Sequence, residues 1–452
     1  MAKRTSLEKY KEQNKAIHRK WDLMRIRVFT VLIAIFFLLG LLLFLRPKQS
    51  AIEKRDLATF PAISLSGIWD GSWFNDLETW YADSFPFREK LISLGTNFEN
   101  LYGIRNSAIY VSSNTNTNTE QEQQTSQTAS GSATAASASG DAEKDAGGAI
   151  TIQPESAGTI YVADGRGFEL YYSKTEALDA YASMLNTVAD RLDGIATVYD
   201  IAIPNSFGIM LDESIQKSMG CNNQKEDIEY VYDQLSDKVK DVSIYSTLRA
   251  HNDEYIYFRT DHHWTQRGAY YAYTKFCEAK GITAHKLDDY EQKTYDGFLG
   301  TFYAASNQST ELANHADTVE TFLPIATNEE TITDSDGKTY ERAIISDPTD
   351  LGSESKYMCF IGGDQPLITI DNPDINDGSA CILIKESYGN VLAPFLVDHY
   401  DKVYIVDYRY SYADLTALAK EQTSCDVIFA NVMVLLNDTA RAQKMEALFP
   451  AE

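Results

Sequence analysis

Cysteine is scarce in this 452-residue chain: there are five, an odd number that cannot all pair. That excludes a mini-domain framed by disulfides. Cys381 sits in an apolar strand-like run and Cys277 on the apolar side of a helical pattern, so both read as small core residues. Positive charge is also short. Lysine and arginine number 40 against 65 acids, a net charge of −25, which argues against nucleic acid or an anionic membrane surface as the main ligand. From 112 to 158 there is no aromatic residue, leucine or valine. Such a segment cannot bury enough surface to fold and reads as a disordered low-complexity linker. Elsewhere the chain is rich. Apolar residues make up 44% and aromatics 12%, which excludes overall disorder, collagen and coiled coil.

The charge is unevenly spread. Residues 1–27 carry nine Lys or Arg and three acids, a basic tail of +6 that leaves −31 for the rest. The run 28–45, VFTVLIAIFFLLGLLLFL, has eighteen residues and no charge. At about 1.5 Å per residue it reaches across most of a bilayer core. Arg46, Pro47 and Lys48 follow, not a small-x-small cleavage site. The pattern predicts a transmembrane signal-anchor seated in the lipid bilayer, with the N-terminus cytoplasmic and the main domain extracellular. Residues 46–111 form an N-terminal segment whose Trp69, Trp73, Trp80 and Phe85 predict packing on the main domain.

Residues 159–452 read as one α/β domain. Helical spacing covers 175–191 (Leu178, Tyr181, Leu185, Val188), 227–239 and 266–280, the last stopping at Gly281. Strands are expected at 159–162, 195–203, 242–245, 255–258, 381–385, 402–406 and 427–436, and 307–356 as a long polar surface excursion. Strands apolar on both faces, alternating with helices, imply a mostly parallel sheet covered on both sides.

Two stretches carry chemistry. In Tyr257-Phe258-Arg259-Thr260-Asp261-His262-His263-Trp264-Thr265, Asp261 can hold one nitrogen of His263 and leave the other as a base. A structural histidine pair and a metal site are the competing readings; no second acidic cluster with ligand spacing supports a metal. In Ile382-Leu383-Ile384-Lys385-Glu386-Ser387-Tyr388-Gly389-Asn390, an apolar strand ends at Ser387 ahead of a helix-like run. A serine at such an elbow has an exposed Oγ, and the Tyr388 and Gly389 N–H groups are candidate oxyanion donors. G-x-S-x-G is absent, and a lone Ser387 would serve equally as a helix cap. Asn205 and Gly300 are further oxyanion candidates or plain turn residues, and Arg259 is a candidate substrate contact or an ordinary ion pair.

These residues resemble the DHHW family of Gram-positive bacterial surface proteins, named for Asp261-His262-His263-Trp264. The likeness covers most of 52–111 and 159–440. It includes Glu53-Lys54-Arg55-Asp56-Leu57-Ala58, Asp83-Ser84-Phe85-Pro86-Phe87-Arg88, Arg166-Gly167-Phe168-Glu169-Leu170, the 268–273 GAYYAY string, Gly297-Phe298-Leu299-Gly300 and the serine block. That family is similar to alginate O-acetylation proteins. The resemblance implies a three-layer SGNH hydrolase-like fold with permuted strand order. It implies Asp261 as orienter, His263 as base and Ser387 as nucleophile, with His262 outside the triad and no metal or cofactor. Similar proteins usually have Asp where this chain has Glu386; the negative charge is kept. The function so implied is a serine-dependent O-acyltransferase or esterase of cell-surface polysaccharide, with a membrane-bound O-acyltransferase as possible acetyl donor. The alternative is a non-catalytic glycan-binding or scaffolding protein of the envelope.

Overall fold

Between Ser379 and Lys385 the chain has no polar side chain, and this strand lies inside an eight-stranded sheet in the computed structural model. Being buried on both faces, it has no use for the polar alternation of a half-exposed strand. Lys402–Asp407 and Ser424–Val432 flank it, both parallel. Thr197–Ile203 continues the parallel set beside Ser424–Val432, and Val239–Asp241 closes that edge. On the other side, Leu367–Asp371 pairs antiparallel with Lys402–Asp407, followed by Glu329–Thr333 and Thr339–Ala343, also antiparallel. Six strands therefore run in one direction, five of them joined by parallel pairing, and Leu367–Asp371 and Thr339–Ala343 run in the other. The structure describes residues 24–25, 27–31, 46–50, 55–70, 72–88, 90–91, 108–110 and 159–451.

The two best-patterned helices form where their spacing predicts. Thr175–Arg191 buries Leu178, Tyr181, Leu185 and Val188 on one face, against Thr439–Ala447 and the Thr197–Ile203 strand. Full burial of each such aliphatic side chain is worth about 1.5–3 kcal/mol. Gln266–Lys280 starts at Thr265, whose side chain accepts the Gly268 N–H at 3.2 Å, and ends at Gly281 in the left-handed region. Capping by Thr265 fixes where the helix begins, directly after the tetrad. Cys277 and Cys381 are buried core residues, and all five thiols are free.

The 307–356 segment differs from the surface excursion expected. It supplies Asp317–Leu323, which pairs antiparallel with Glu291–Phe298, and both outer strands of the antiparallel half of the main sheet. The 255–258 run makes only an isolated bridge, Tyr257 to Trp264, instead of a strand. The expected 242–245 strand lies earlier, at Val239–Asp241.

The chain divides into two units, Met1–Gly95 and Thr96–Glu452. In the first, the Arg46 guanidinium lies 3.8 Å over the Trp80 ring and donates to Ser84 Oγ at 2.7 Å. The Ala58 N–H donates to Asp83 Oδ2 at 2.8 Å, joining two of the motifs singled out above. Most of the 28–45 run and the whole 112–158 segment lie outside the described residues; among those described, no helix is long and apolar enough to cross a membrane.

Candidate active site

The tetrad loop is shaped by a residue far from it in sequence. Buried Asp317 accepts the Arg259 N–H at 2.8 Å, the Thr260 N–H at 2.7 Å and the Thr260 hydroxyl at 2.6 Å. Burial raises its carboxyl above the usual value, opposed by these bonds and by the Tyr255 hydroxyl. Two backbone bonds close the other side of the loop: Phe258 N–H to His263 O at 3.2 Å and Thr265 N–H to Ile256 O at 3.0 Å.

Within this loop Asp261 and His263 pair directly. Asp261 Oδ1 meets His263 Nδ1 at 2.6 Å and accepts the His263 N–H at 3.0 Å. Asp261 Oδ2 accepts from the Thr301 N–H at 2.9 Å and the Thr301 hydroxyl at 3.2 Å. Burial alone would raise the Asp261 carboxyl. The adjacent His263 and His262, with the bonds from His263 and Thr301, outweigh it and hold the group far below the usual carboxylate range. An ionised acceptor at Nδ1 selects the tautomer with its proton there, leaving the Nε2 lone pair available. His263 Nε2 is buried and has no hydrogen-bond partner among the described residues. The ring lies flat on Tyr357, with centroids 3.9 Å apart and planes 9° apart.

Ser387 opens a short 3-10 turn, Ser387–Val391, at the carboxyl end of the Ser379–Lys385 strand. Two bonds bolt this turn to the tetrad loop. Trp264 Nε1–H donates to Tyr388 O at 2.8 Å, and the Tyr388 hydroxyl donates to His262 O. The structure thus brings together two stretches 124 positions apart. No hydrogen bond joins Ser387 Oγ to His263 Nε2. The Ser387 hydroxyl donates instead to Glu386 Oε2 at 3.3 Å. Asp261 and His263 are each 3% exposed and Ser387 4%, so the three groups sit nearly closed off from solvent and not at an open rim.

The expected oxyanion donors have other work. The Tyr388 N–H donates to Glu386 Oε2 at 2.9 Å and the Gly389 N–H to Glu386 O at 2.9 Å. Glu386 Oε1 accepts the Val432 N–H at 2.9 Å, so this carboxylate stitches the elbow to the neighbouring strand. Asn205 caps the Ser206–Met210 helix and gives its Nδ2–H to Glu169 O at 3.0 Å. The Gly300 N–H donates to Thr260 Oγ1 at 3.1 Å. Arg259 takes the ordinary ion-pair reading, 3.8 Å from Asp317 Oδ1, with its guanidinium over the Tyr255 ring.

Beneath the elbow lies a buried charge cluster. Lys385 Nζ reaches Asn390 Oδ1 at 2.7 Å, Asp364 Oδ1 at 3.2 Å and Asp407 Oδ2 at 3.3 Å. Arg409 pairs with the same two acids at 2.8 and 2.6 Å. A Cβ on Gly389 would meet Lys385 Cβ at 2.4 Å, so the turn rests on the lysine stem. Asp261, His262 and His263 could each offer one ligand atom to a metal within 4.8 Å of the others. Both Asp261 oxygens, His263 Nδ1 and His262 Nδ1 are already hydrogen-bonded, the last to Thr301 Oγ1 at 2.6 Å, so a cation would have to displace those bonds. Asp317, Thr301 and Tyr357 were not found from the sequence. Only Thr301 had a signal, directly after the Gly-Phe-Leu-Gly string.

No curated protein matches the chain. Among solved structures, a DHHW family protein from Eubacterium siraeum is 28% identical, with a TM-score of 0.58, over 65% of this chain and 96% of that one. PatB1 from Bacillus cereus, solved with a sulfonyl adduct, is 17% identical, with a TM-score of 0.52, over 62% of this chain and 98% of its own. Its likeness shows a mixed α/β fold around a central sheet. The O-acetyltransferase domain of Pseudomonas putida AlgJ is 12% identical, with a TM-score of 0.32, over 62% of this chain and 95% of its own. The family model described as DHHW protein matches residues 53–119 and 112–406, most of the sequence. On that match, and with Asp261-His262-His263-Trp264 built as one bonded loop, the chain belongs to the DHHW family.

Proposed function

We propose that this protein is a serine-dependent O-acyltransferase or esterase of cell-surface polysaccharide, acetyl being the favoured group. The observation that carries the reading is His263 Nε2. It is a buried nitrogen, unpartnered among the described residues, whose opposite ring atom is fixed by an ionised carboxylate, on a loop bonded to the turn that bears Ser387. A buried polar atom left without a partner is costly, and a function is a common reason for keeping one. For catalysis the Ser387 hydroxyl turns from Glu386 to His263. Its Oγ then bonds the acyl carbon, its proton passes to Nε2, and the imidazolium returns that proton to the leaving oxygen. A sugar hydroxyl or water takes the acyl group in the second half. The finer fold assignment is SGNH hydrolase-like with permuted strand order, supported by the serine elbow at the end of a central parallel strand. A membrane-bound O-acyltransferase as acetyl source, the 28–45 anchor and an extracellular main domain complete the reading.

A non-catalytic glycan-binding role is favoured by one fact: Ser387 Oγ is bonded to Glu386 and not to His263. Acetyl release from p-nitrophenyl acetate separates the two. The wild type should release acetyl, Ser387→Ala and His263→Ala should each remove most activity, and the double variant should be little worse. Inactive wild type, on this ester and on acetylated glycan alike, sinks the enzymatic reading.

A further inference from the structure

Tyr357 touches both halves of the site. Its hydroxyl donates to the Ser387 carbonyl at 2.7 Å, and its ring lies face to face with His263 at 3.9 Å and 9°. Burial keeps this phenol protonated, so the hydroxyl remains a donor. We propose that Tyr357 is a positioning residue that holds the His263 ring and the Ser387 backbone in one frame, a reading that rests on the serine chemistry above.

The tyrosine is itself held firmly. It lies in the 3-10 turn Lys356–Cys359. The Ser346 N–H donates to Cys359 O at 2.9 Å and the Ile361 N–H to Ile344 O, fixing that turn to the chain that continues from the Thr339–Ala343 strand. The Tyr357 ring also meets Phe258 edge-on at 6.2 Å and Phe360 at 5.6 Å. The His263 ring has two side-chain torsions to lose. The Asp261 bond at Nδ1 fixes rotation in the ring plane. The flat contact with Tyr357 fixes its tilt, and His262, 3.8 Å from it centroid to centroid, covers the ring as well. Only the approach of the nucleophile remains, and the Tyr357 hydroxyl sets it through the Ser387 carbonyl. When Ser387 gives its proton to Nε2, the tyrosine face also meets the imidazolium as it forms, an arrangement that favours the cation.

Phenylmethanesulfonyl fluoride tests this without knowledge of the natural substrate. The Ser387 Oγ–S bond forms, the S–F bond breaks, fluoride leaves and the serine proton passes to His263. Labelling of the full chain is followed by intact mass, with the saturating rate kinact and the half-saturating concentration KI measured separately, and Ser387→Ala as the blank. Tyr357→Leu loses stack and tether; kinact should fall roughly a hundredfold with KI within about twofold, as expected for a small misplacement of reacting groups. Tyr357→Phe keeps the stack and should lose only about three- to tenfold, for the missing hydrogen bond. Wild-type kinact in the Leu variant, or a loss seen only in KI, overturns the role of Tyr357 while leaving the serine reading intact. If thermal melts show the Leu variant unfolded, the Phe variant decides: unchanged kinact overturns the frame. Wild-type protein that takes no label at Ser387 ends the serine reading, and this proposal with it.

Discussion

Gly300 lies against Asp261 so closely that a Cβ on Gly300 would come within 2.1 Å of Asp261 Oδ2. The glycine is there for space, since its own φ of −89° suits any residue. Asp261 can accept the Thr301 N–H only because nothing intervenes. Gly300→Ala should therefore push the carboxylate off His263 and lower sulfonyl-fluoride labelling of Ser387 by roughly a hundredfold. Labelling at the wild-type rate would show that the Asp261–His263 pair is not needed in this geometry.

Lys385 is fully buried in a cluster with two acids and one arginine. Its removal leaves Arg409 as the cation paired with Asp364 and Asp407, with the Asn390 amide still donating to Asp364 at 3.1 Å. Lys385→Met should cost about 3–5 kcal/mol in urea unfolding, as when one partner of a buried ion pair is deleted. The same variant should loosen the Ser387 turn, which rests on the lysine stem. A variant of unchanged stability would mean that the cluster reorganises without it.

Asp200 gives a pH dependence with a definite sign. Its Oδ1 accepts the Tyr181 hydroxyl at 2.5 Å, its Oδ2 has no partner among the described residues, and burial pushes the carboxyl from 3.8 up to about 7. The folded state thus keeps a proton that the unfolded chain releases near pH 4. Its contribution to stability is whole below that pH and is lost as pH rises through about 7. Relative to wild type, Asp200→Asn should gain stability as pH rises between these values, by at most about 1.4 kcal/mol per pH unit. Denaturant unfolding at pH 5, 6.5 and 8 reads the difference; a flat difference contradicts the assignment. Glu330, pushed up to about 8 mainly by burial, should behave alike over a slightly higher window.

The +6 tail and the uncharged 28–45 run predict orientation in the membrane. Protease added to intact cells should remove everything beyond Arg46 and spare the tail. A large domain protected in cells whose envelope is open to the protease would refute an outward-facing anchor.

The sequence made some of this legible. Thr175–Arg191 and Gln266–Lys280 follow from apolar spacing and a terminal glycine, and the central strands from unbroken apolar runs. Glu329–Thr333 defeats the same reading because its inward positions are Glu330 and Ile332. A buried glutamate breaks the alternation that identifies a strand. Asp261 and His263 could be paired because they are two residues apart. Asp317 and Tyr357 could not be found, since they act through contacts 57 and 30 positions distant, with no local pattern to mark them.

The order of the sheet also has a consequence for how the protein is made. Ser424–Val432 is the last of its strands in the chain, yet it lies between Thr197–Ile203 and Ser379–Lys385. A chain growing from its N-terminus holds two half-sheets with facing apolar edges and nothing to join them until that strand emerges. Both edges are open to pairing with other chains throughout the interval. Ser387 sits at the end of one of them. Slowing synthesis before residue 424 should thus lengthen the period of greatest aggregation risk.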